Sequence, residues 1–406
     1  MQVYIGIDWS EAKHDLVFMN AAGSPIARLT TEHSPEGFLK LEATRQRLGL
    51  EPEDCAVGLE TAHNLIIDFL WAHDYHEVYV IPPKMVKGNR SRFRHSSARS
   101  DTSDALLLAE LLRTDRGRLQ PWRPDSLLTR QLRAKVSLIN FITRDIVRLT
   151  NRLRAVLLRY YPAAIGLFSD IANQISLQFI QAYPTAEIAR AMTFQEFVAF
   201  ARQHRYPCPT NLPRRFAHLQ IPHPEANADT IDVFQGEAVL LAGSLLTQVK
   251  TKIAAIQELQ TLFKQHPDFE VFDSLPGAGN LLAPALLTKF GDDRQRFPSP
   301  ASVQALAGTC PVTKSSGKYK VVKFRRSCDR EFRYFAQQWA RTSLKTSVWA
   351  NAYWEQVRPH CRSASHAYRC LANRWLAIAW KLWQTGQPYD ERTHLRNRML
   401  RSKPHN

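Results

Sequence analysis

The chain has no paired cysteines. Its six, Cys55, Cys208, Cys310, Cys328, Cys361 and Cys370, are scattered singly with no CxxC, which excludes a disulfide framework and a zinc knuckle. No charged-then-apolar leader precedes the first apolar stretch, and the longest apolar runs fall far short of a bilayer span. The expectation is a cytoplasmic chain without signal peptide or membrane anchor. "GIDWS" near the start resembles a phosphate-binding strand turn, but no second glycine-rich loop follows at a suitable distance. That counts against an actin- or sugar-kinase-like phosphotransferase. No internal repeat is visible.

Acid is also in short supply. Against 37 Asp plus Glu stand 54 Lys plus Arg, a formal charge of +17 on 406 residues. Such an excess costs self-repulsion in the compact state, and a polyanionic partner is the common reason to carry it. The arginines cluster, in "RSRFRHSSARS" (90–100), "RLTNRLRAVLLRYY" (148–161), "KFRR" (323–326) and "RTHLRNRMLRSK" (392–403). Guanidinium forks suit phosphates, so nucleic acid is the first partner to consider.

With 44% hydrophobic residues the chain has material for two or three domains. The first 120 residues read as strands at 2–8, 14–19 and 24–31, a helix over 35–48, a strand at 55–62, a helix over 64–73 and a strand at 77–83. A basic loop and a helix opened by Ser100 as N-cap follow. This is an α/β domain with a mixed sheet. "PWRPDS" is a linker. Beyond it Leu132, Val136, Ile139, Ile142, Ile146, Leu149, Leu153 and Leu157 mark one long helix, and Leu246, Val249, Ile253, Ile256, Leu259 and Phe263 mark a second over 236–265. The two are expected to pair as an antiparallel arm, either an intradomain hairpin or a subunit-pairing coiled coil. Residues 163–235 look like an insertion between them. The boundaries are therefore 1–121, 122–268, 269–390 for a mainly helical C-terminal part, and a basic tail at 391–406.

Two strands end in acids, Asp8 and Glu60, and a helix begins with Asp101 and Asp104, which share a face at i, i+3. Singly, each is as well read as a turn residue or an N-terminal dipole partner. Together, at strand ends and a helix start of an α/β sheet, four carboxylates would repel unless divalent cations neutralised them. Two Mg²⁺ ions about 4 Å apart transfer phosphodiesters, and carboxylate oxygens suit such hard ions. The set D…E…D-x-x-D points to an RNase H-like fold.

These residues resemble a known family. "GIDWSEAKHDLV", "GLETAHN" and "RSDTSDALLLAELL" resemble the RuvC-like domain of the IS110 family of DEDD insertion-sequence transposases, the bridge-RNA-guided recombinases. "RLTNRLRAVLLRYYP" resembles its first arm helix, and "LPGAGNLLAPALL…FPSPASVQALAGTCPVTKSSGK" its C-terminal transposase domain. The resemblance implies a DNA recombinase that breaks and exchanges strands through a Mg²⁺-assisted covalent phosphoserine. The metal-binding acids fall on Asp8, Glu60, Asp101 and Asp104. The nucleophile falls on Ser316, with neighbouring Ser315 leaving one position of ambiguity. It further implies target and donor DNA, a structured non-coding guide RNA, a dimer or dimer of dimers with a composite site, and nucleoid association. A serine hydroxyl is a poor nucleophile until deprotonated or placed beside a metal. Lys314, Gly317 and Lys318 around it would let backbone approach a phosphate, although "TKSSGK" is equally read as a basic turn.

Arg90, Arg92, Arg94, Arg152, Arg154, Arg325 and Arg326 are the remaining candidates for nucleic-acid contact, with Gly277 and Gly279 of "LPGAGN" as amides at a helix start. That last motif is equally an ordinary packing turn. His360, Cys361, His366 and Cys370 lie close in sequence, but their spacing fits no standard structural zinc site and the stretch is periodic as a helix, so zinc is not expected. Trp349, Trp354, Trp375, Trp380 and Trp383 read as core. Three rivals stay open: a metal-dependent junction nuclease that needs the acids but no serine, the phosphotransferase, and a non-catalytic nucleic-acid scaffold.

Overall fold

The structure, a computed structural model, describes residues 2–60, 65–93, 101–222, 226–316, 319–393 and 395–396, with the side chains of residues 91–93, 101, 102 and 314 outside that description. The chain forms two compact units, Met1–Pro124 and Asp125–Asn406.

The first unit is α/β. Apolar-rich runs give β1 (Val3–Trp9), β2 (Lys13–Met19), β3 (Pro25–Glu32), β4 (Cys55–Leu59) and β5 (Val78–Val80). They form one sheet in the order β3-β2-β1-β4-β5. β1, β2 and β3 are antiparallel neighbours, while β4 and β5 run parallel to β1. The helices are α1 (Pro35–Arg47), α2 (Leu65–Ala72), α3 (Pro83–Phe93) and α4 (Asp101–Asp115). Ser34 caps α1, its side chain accepting from the Gly37 N–H. The expected basic loop after β5 is helical as far as Phe93, and Ser100 lies outside the described residues. Pro83 can start a helix at no loss of a needed donor, which explains where α3 begins.

Strand alternation sorts the core into two layers. Val3, Ile5, Ile7, Leu16, Phe18, Val57 and Leu59 point to the α1 and α2 side. Tyr4, Met19, Ala56 and Tyr79 point to the other, where Leu107, Leu108, Leu111 and Leu112 of α4 cover them. α4 sits close on this second face. A Cβ on Gly6 would stand 2.0 Å from the Ala105 carbonyl oxygen and 2.5 Å from the Ala109 nitrogen, both backbone atoms. Only glycine admits α4 at that distance.

The second unit is mostly helical. α5 (Leu127–Tyr160) is followed by five short helices, α6 (Ala163–Gly166), α7 (Gln174–Ala182), α8 (Ala186–Arg190), α9 (Phe194–Gln203) and α10 (Leu212–Leu219). Then come α11 (Ala228–Phe263), α12 (Phe269–Asp273), α13 (Gly279–Phe290), α14 (Pro300–Leu306), the hairpin β6 (Val312–Ser316) and β7 (Tyr319–Lys323), α15 (Arg330–Ser343), α16 (Val348–Val357) and α17 (Ala364–Thr385). α5 and α11 run antiparallel: Lys135 pairs with Glu258, and Arg152 reaches Glu237 at 2.6 Å.

The buried stripe of α5 is the anticipated one apart from the partly buried Leu149. On α11 the buried positions are Ala238, Ala242, Leu245, Ala255, Leu259 and Phe263, whereas Ile253 is 43% exposed. Four residues named from sequence thus sit beside the seam, because alanines let the two backbones come together and the larger neighbours flank them. α11 also starts earlier than expected, at the cap of Asn227 on the Thr230 N–H. By length and composition α11 could cross a membrane, contrary to the reading of short apolar runs, yet its alanine seam lies inside the two cores.

Those cores explain why Asp125–Asn406 is one unit. One end of the α5–α11 pair packs with the 163–222 helices, and the other with α13, α15 and α17, where Trp339, Trp349, Trp375 and Trp383 are buried. Trp380 is partly buried, and Trp354 stacks on Tyr368 at 4.2 Å. Glu391 of the expected tail is tied in as well, accepting from Ser347 Oγ and the Trp349 N–H.

Gly6→Ala is expected to cost at least about 1–3 kcal/mol, because the new methyl meets backbone that cannot rotate away. Gly88→Ala, on α3 with open space around it, should be neutral or stabilising. Urea midpoints of the two variants decide this. A second outcome concerns His14, buried on β2 with Nε2 2.9 Å from His33 Nδ1. Burial, then His33, push its pKa down from 6.5 to about 4, with Asp15 opposing. The unfolded chain therefore binds the proton first as pH falls. Stability should be unaffected above pH 6.5 and fall by about 3 kcal/mol towards pH 4. His14→Leu should flatten that limb of a stability–pH curve.

Candidate active site

β1 and β4 are parallel neighbours with Ile7 opposite Leu59. One residue further along each strand come Asp8 and Glu60, so the two acids occupy adjacent positions at the same edge of the sheet. Both are half-buried. Gly6 and Asp8 share a face, the one covered by α4. The close approach at Gly6 lays the first turn of α4 over this edge, and Asp104 is in that turn.

The charges there interact. Arg90 on α3 donates from Nη2 to Asp104 Oδ2 at 2.6 Å. The Glu60 carboxyl is pushed above its usual range, first by burial and then by the negative charge of Asp104, with Arg90 opposing. Asp101 is the first residue of α4, and its side chain lies outside the description. The donors at this edge are carboxylate oxygens on separate elements, in partial burial, and burial followed by the charge of Asp104 disfavours ionisation of Glu60. That environment fits a hard divalent cation.

A fifth acid was missed by sequence reasoning. Asp15 on β2 is the register partner of Asp8, so both side chains leave the same face. Asp15 is buried and accepts from Thr30 Oγ1 at 2.6 Å. Alternation within "KHDLVFM" was the available signal, but it needs the β1–β2 register to be read.

In the second unit, Ser315 and Ser316 are the last residues of β6. Ser315 pairs with Lys320 and Ser316 with Tyr319. The two hydroxyls therefore leave opposite faces of an exposed two-stranded ribbon. The anticipated loop is a strand up to Ser316, since cross-strand hydrogen bonding claims the backbone that a flexible turn would leave free. Gly317 and Lys318 lie outside the described residues, as does the Lys314 side chain.

Residues 5–162 match the DEDD transposases of IS110, a family described as transposase, and residues 269–355 match the family described as transposase IS116/IS110/IS902. Between them the two matches take in the sheet with its acids, α5, and the serine hairpin. The chain belongs to the IS110 family of transposases. Several relatives are similar over nearly their whole length. The mini-circle candidate transposase of IS117 from Streptomyces coelicolor is 28% identical over 406 residues, 96% of each chain. An uncharacterized 42 kDa protein of the insertion element IS900 from Mycobacterium paratuberculosis is 24% identical, covering 96% of this chain and 98% of that one. The 43.6 kDa protein of IS110 itself, also from Streptomyces coelicolor, is 23% identical over 73% of each. As a transposase of an insertion sequence, the chain is an enzyme with a DNA substrate, in a family whose DEDD acids imply a divalent metal.

Against this IS110 background the basic candidates separate. Arg154 and Arg326 are exposed. Arg152 is exposed but bonded to Glu237, and Arg325 Nε donates to the Cys310 carbonyl at 3.3 Å. Arg90 is engaged by Asp104, and Arg92, Arg94 and Lys318 carry side chains outside the description. Gly277 has φ +74°, and a Cβ there would strike the Ser343 nitrogen at 2.6 Å. Its glycine serves packing against α15. Gly279, with φ +56° and nothing within 4 Å, is the member of the motif with room for a phosphate at a helix start.

Proposed function

We propose that the chain is an RNA-guided recombinase that cuts and rejoins DNA through a covalent phosphoserine. One observation carries this reading: Glu60 and Asp104, from a strand end and a helix start, interact electrostatically at the sheet edge where Asp8 also ends its strand. The sheet, three antiparallel strands continued by two parallel ones, is the RNase H-like, RuvC-like layer of such an enzyme. Asp8, Glu60, Asp101 and Asp104 would hold two Mg²⁺ ions, which when bound supply Lewis acidity to the scissile phosphodiester and its leaving oxygen.

Ser316 is the nucleophile. Its Oγ bonds to phosphorus as the bond from phosphorus to one deoxyribose oxygen breaks. The serine proton is lost and the leaving oxygen gains one, so the count of phosphate esters is unchanged. A hydroxyl of a different strand can then attack the phosphoserine and restore Ser316, with no nucleotide cofactor consumed. Exposure of the β6–β7 ribbon supports this role, since an attacking hydroxyl must be able to reach a phosphate on the surface of the duplex. The lysines of the ribbon, Lys320 and Lys323, supply charge of the right sign for DNA and for a structured guide RNA. Target DNA, donor DNA and guide RNA are the partners, with the enzyme working as a homo-oligomer at the nucleoid.

Cleavage should be read with full-length protein, DNA carrying an element end, guide RNA and Mg²⁺, on a denaturing gel. Wild type should leave protein covalently joined to DNA. Ser316→Ala should abolish both the adduct and cutting, and Ser315→Ala should keep both. Cutting by Ser316→Ala without an adduct would instead establish a metal-dependent junction nuclease. Asp8→Asn, Glu60→Gln and Asp104→Asn should each slow cleavage by at least about 10²-fold, the scale at which even indirect partners of a metal act, while DNA binding persists. Equal cleavage without the RNA would sink guidance.

A further inference from the structure

α17 starts at Ser363, whose Oγ accepts from the His366 N–H at 3.2 Å. Cys370 follows His366 by four residues, so the two side chains share one face of the helix. The chain enters α17 through a short 3₁₀ turn over Arg358–His360 that ends on Cys361, whose carbonyl accepts from Arg358 Nη1 at 3.3 Å. This turn folds Cys361 back over the first turns of α17. The ligand atoms of Cys361, His366 and Cys370 all lie within 4.8 Å of one another.

The grouping is not visible in the spacing. Cys-x₄-His-x₃-Cys matches no common zinc pattern, but the 3₁₀ turn supplies the missing curvature. A tetrahedral zinc ion holds sulfur and nitrogen ligands about 3.5–3.8 Å apart, so closure needs about 1 Å of side-chain movement. Two sulfurs and an imidazole form a donor set for zinc, unlike the oxygen set of the carboxylates. Arg362 and Arg369 bear on His366, and Arg369 bears on both thiols. These cations do not oppose the metal. Zn²⁺ entry with loss of two thiol protons leaves the charge of the site unchanged.

A cavity of about 590 Å³ opens beside the cluster, lined by His366, Cys370, Arg369, Cys310, Phe324 and Arg325. Cys310 and Cys370 place two thiols on its wall. Phe324, the residue after β7, lies under the guanidinium groups of Arg333 and Arg369 at 4.4 and 4.7 Å. The cluster thus stands at the root of the hairpin that carries Ser315 and Ser316.

We propose that Cys361, His366 and Cys370 bind a zinc ion at the start of α17, beside the root of the β6–β7 hairpin. The site stands independently of the recombinase reading. The full-length chain, purified under reducing conditions, should contain about one zinc per chain by elemental analysis. Stripped of metal and titrated with Co²⁺ alone, it should develop visible tetrahedral bands and a thiolate-to-cobalt charge-transfer band. The carboxylate cluster cannot produce the latter. Cys361→Ser and Cys370→Ser should each lose zinc and that band, and Cys208→Ser, on the exposed surface, should change nothing. His366→Cys preserves a sulfur-rich donor set and should retain binding with a shifted spectrum, which separates ligand loss from misfolding. A wild-type chain with titratable thiols and no charge-transfer band overturns the proposal, as does a band unchanged in the Cys361→Ser, Cys370→Ser double variant.

Discussion

The contact between α4 and β1 at Gly6 governs the first unit. A helix normally rides on a sheet at the distance its side chains dictate. Here the absent Cβ lets the Ala105 and Ala109 backbone settle against the strand itself. Two consequences follow from that one contact. Leu107, Leu108, Leu111 and Leu112 reach the second sheet face and close its core. The helix start is also carried over the carboxyl ends of β1 and β4, so that Asp104 meets Glu60. The core and the acid cluster therefore share a cause, and neither can be adjusted without the other.

Electrostatics sets the second constraint. A chain with a formal charge of +17 nevertheless concentrates acid at one sheet edge, where burial and Asp104 together push Glu60 towards its neutral form. Arg90 offsets this by bonding to Asp104. An arginine that first looks like a phosphate ligand thus pairs with a carboxylate of this edge. The excess of basic residues suits the charge of a DNA substrate.

The second unit is organised by length. α5 and α11 are long enough to take part in two hydrophobic cores, one at each end, and so join the 163–222 helices to the serine-bearing part in one body. The alanine seam of α11 makes this possible, since small residues let the helices lie close while larger neighbours pack outward. At the far end, the hairpin stands on Phe324, held between two arginines, with the Cys361, His366 and Cys370 side chains beside it. A projecting two-stranded ribbon has little core of its own and needs such footing to hold an exposed side chain in place.

Local sequence determined the five strands of the first unit, its helices α1, α2 and α4, and the α5 stripe apart from Leu149. These depend on periodicity and on neighbours a few residues away, which a linear reading captures. The tertiary structure alone decided which groups meet. The β1–β2 register makes Asp15 the partner of Asp8, the Gly6 contact brings Asp104 to Glu60, and a 3₁₀ turn draws Cys361 to His366 and Cys370. The α11 seam was misread for a related reason: hydrophobicity ranks isoleucine above alanine, whereas close helix packing selects for smallness. Contact between distant residues is a property of pairing and approach distance, and neither is written in the spacing of a single segment.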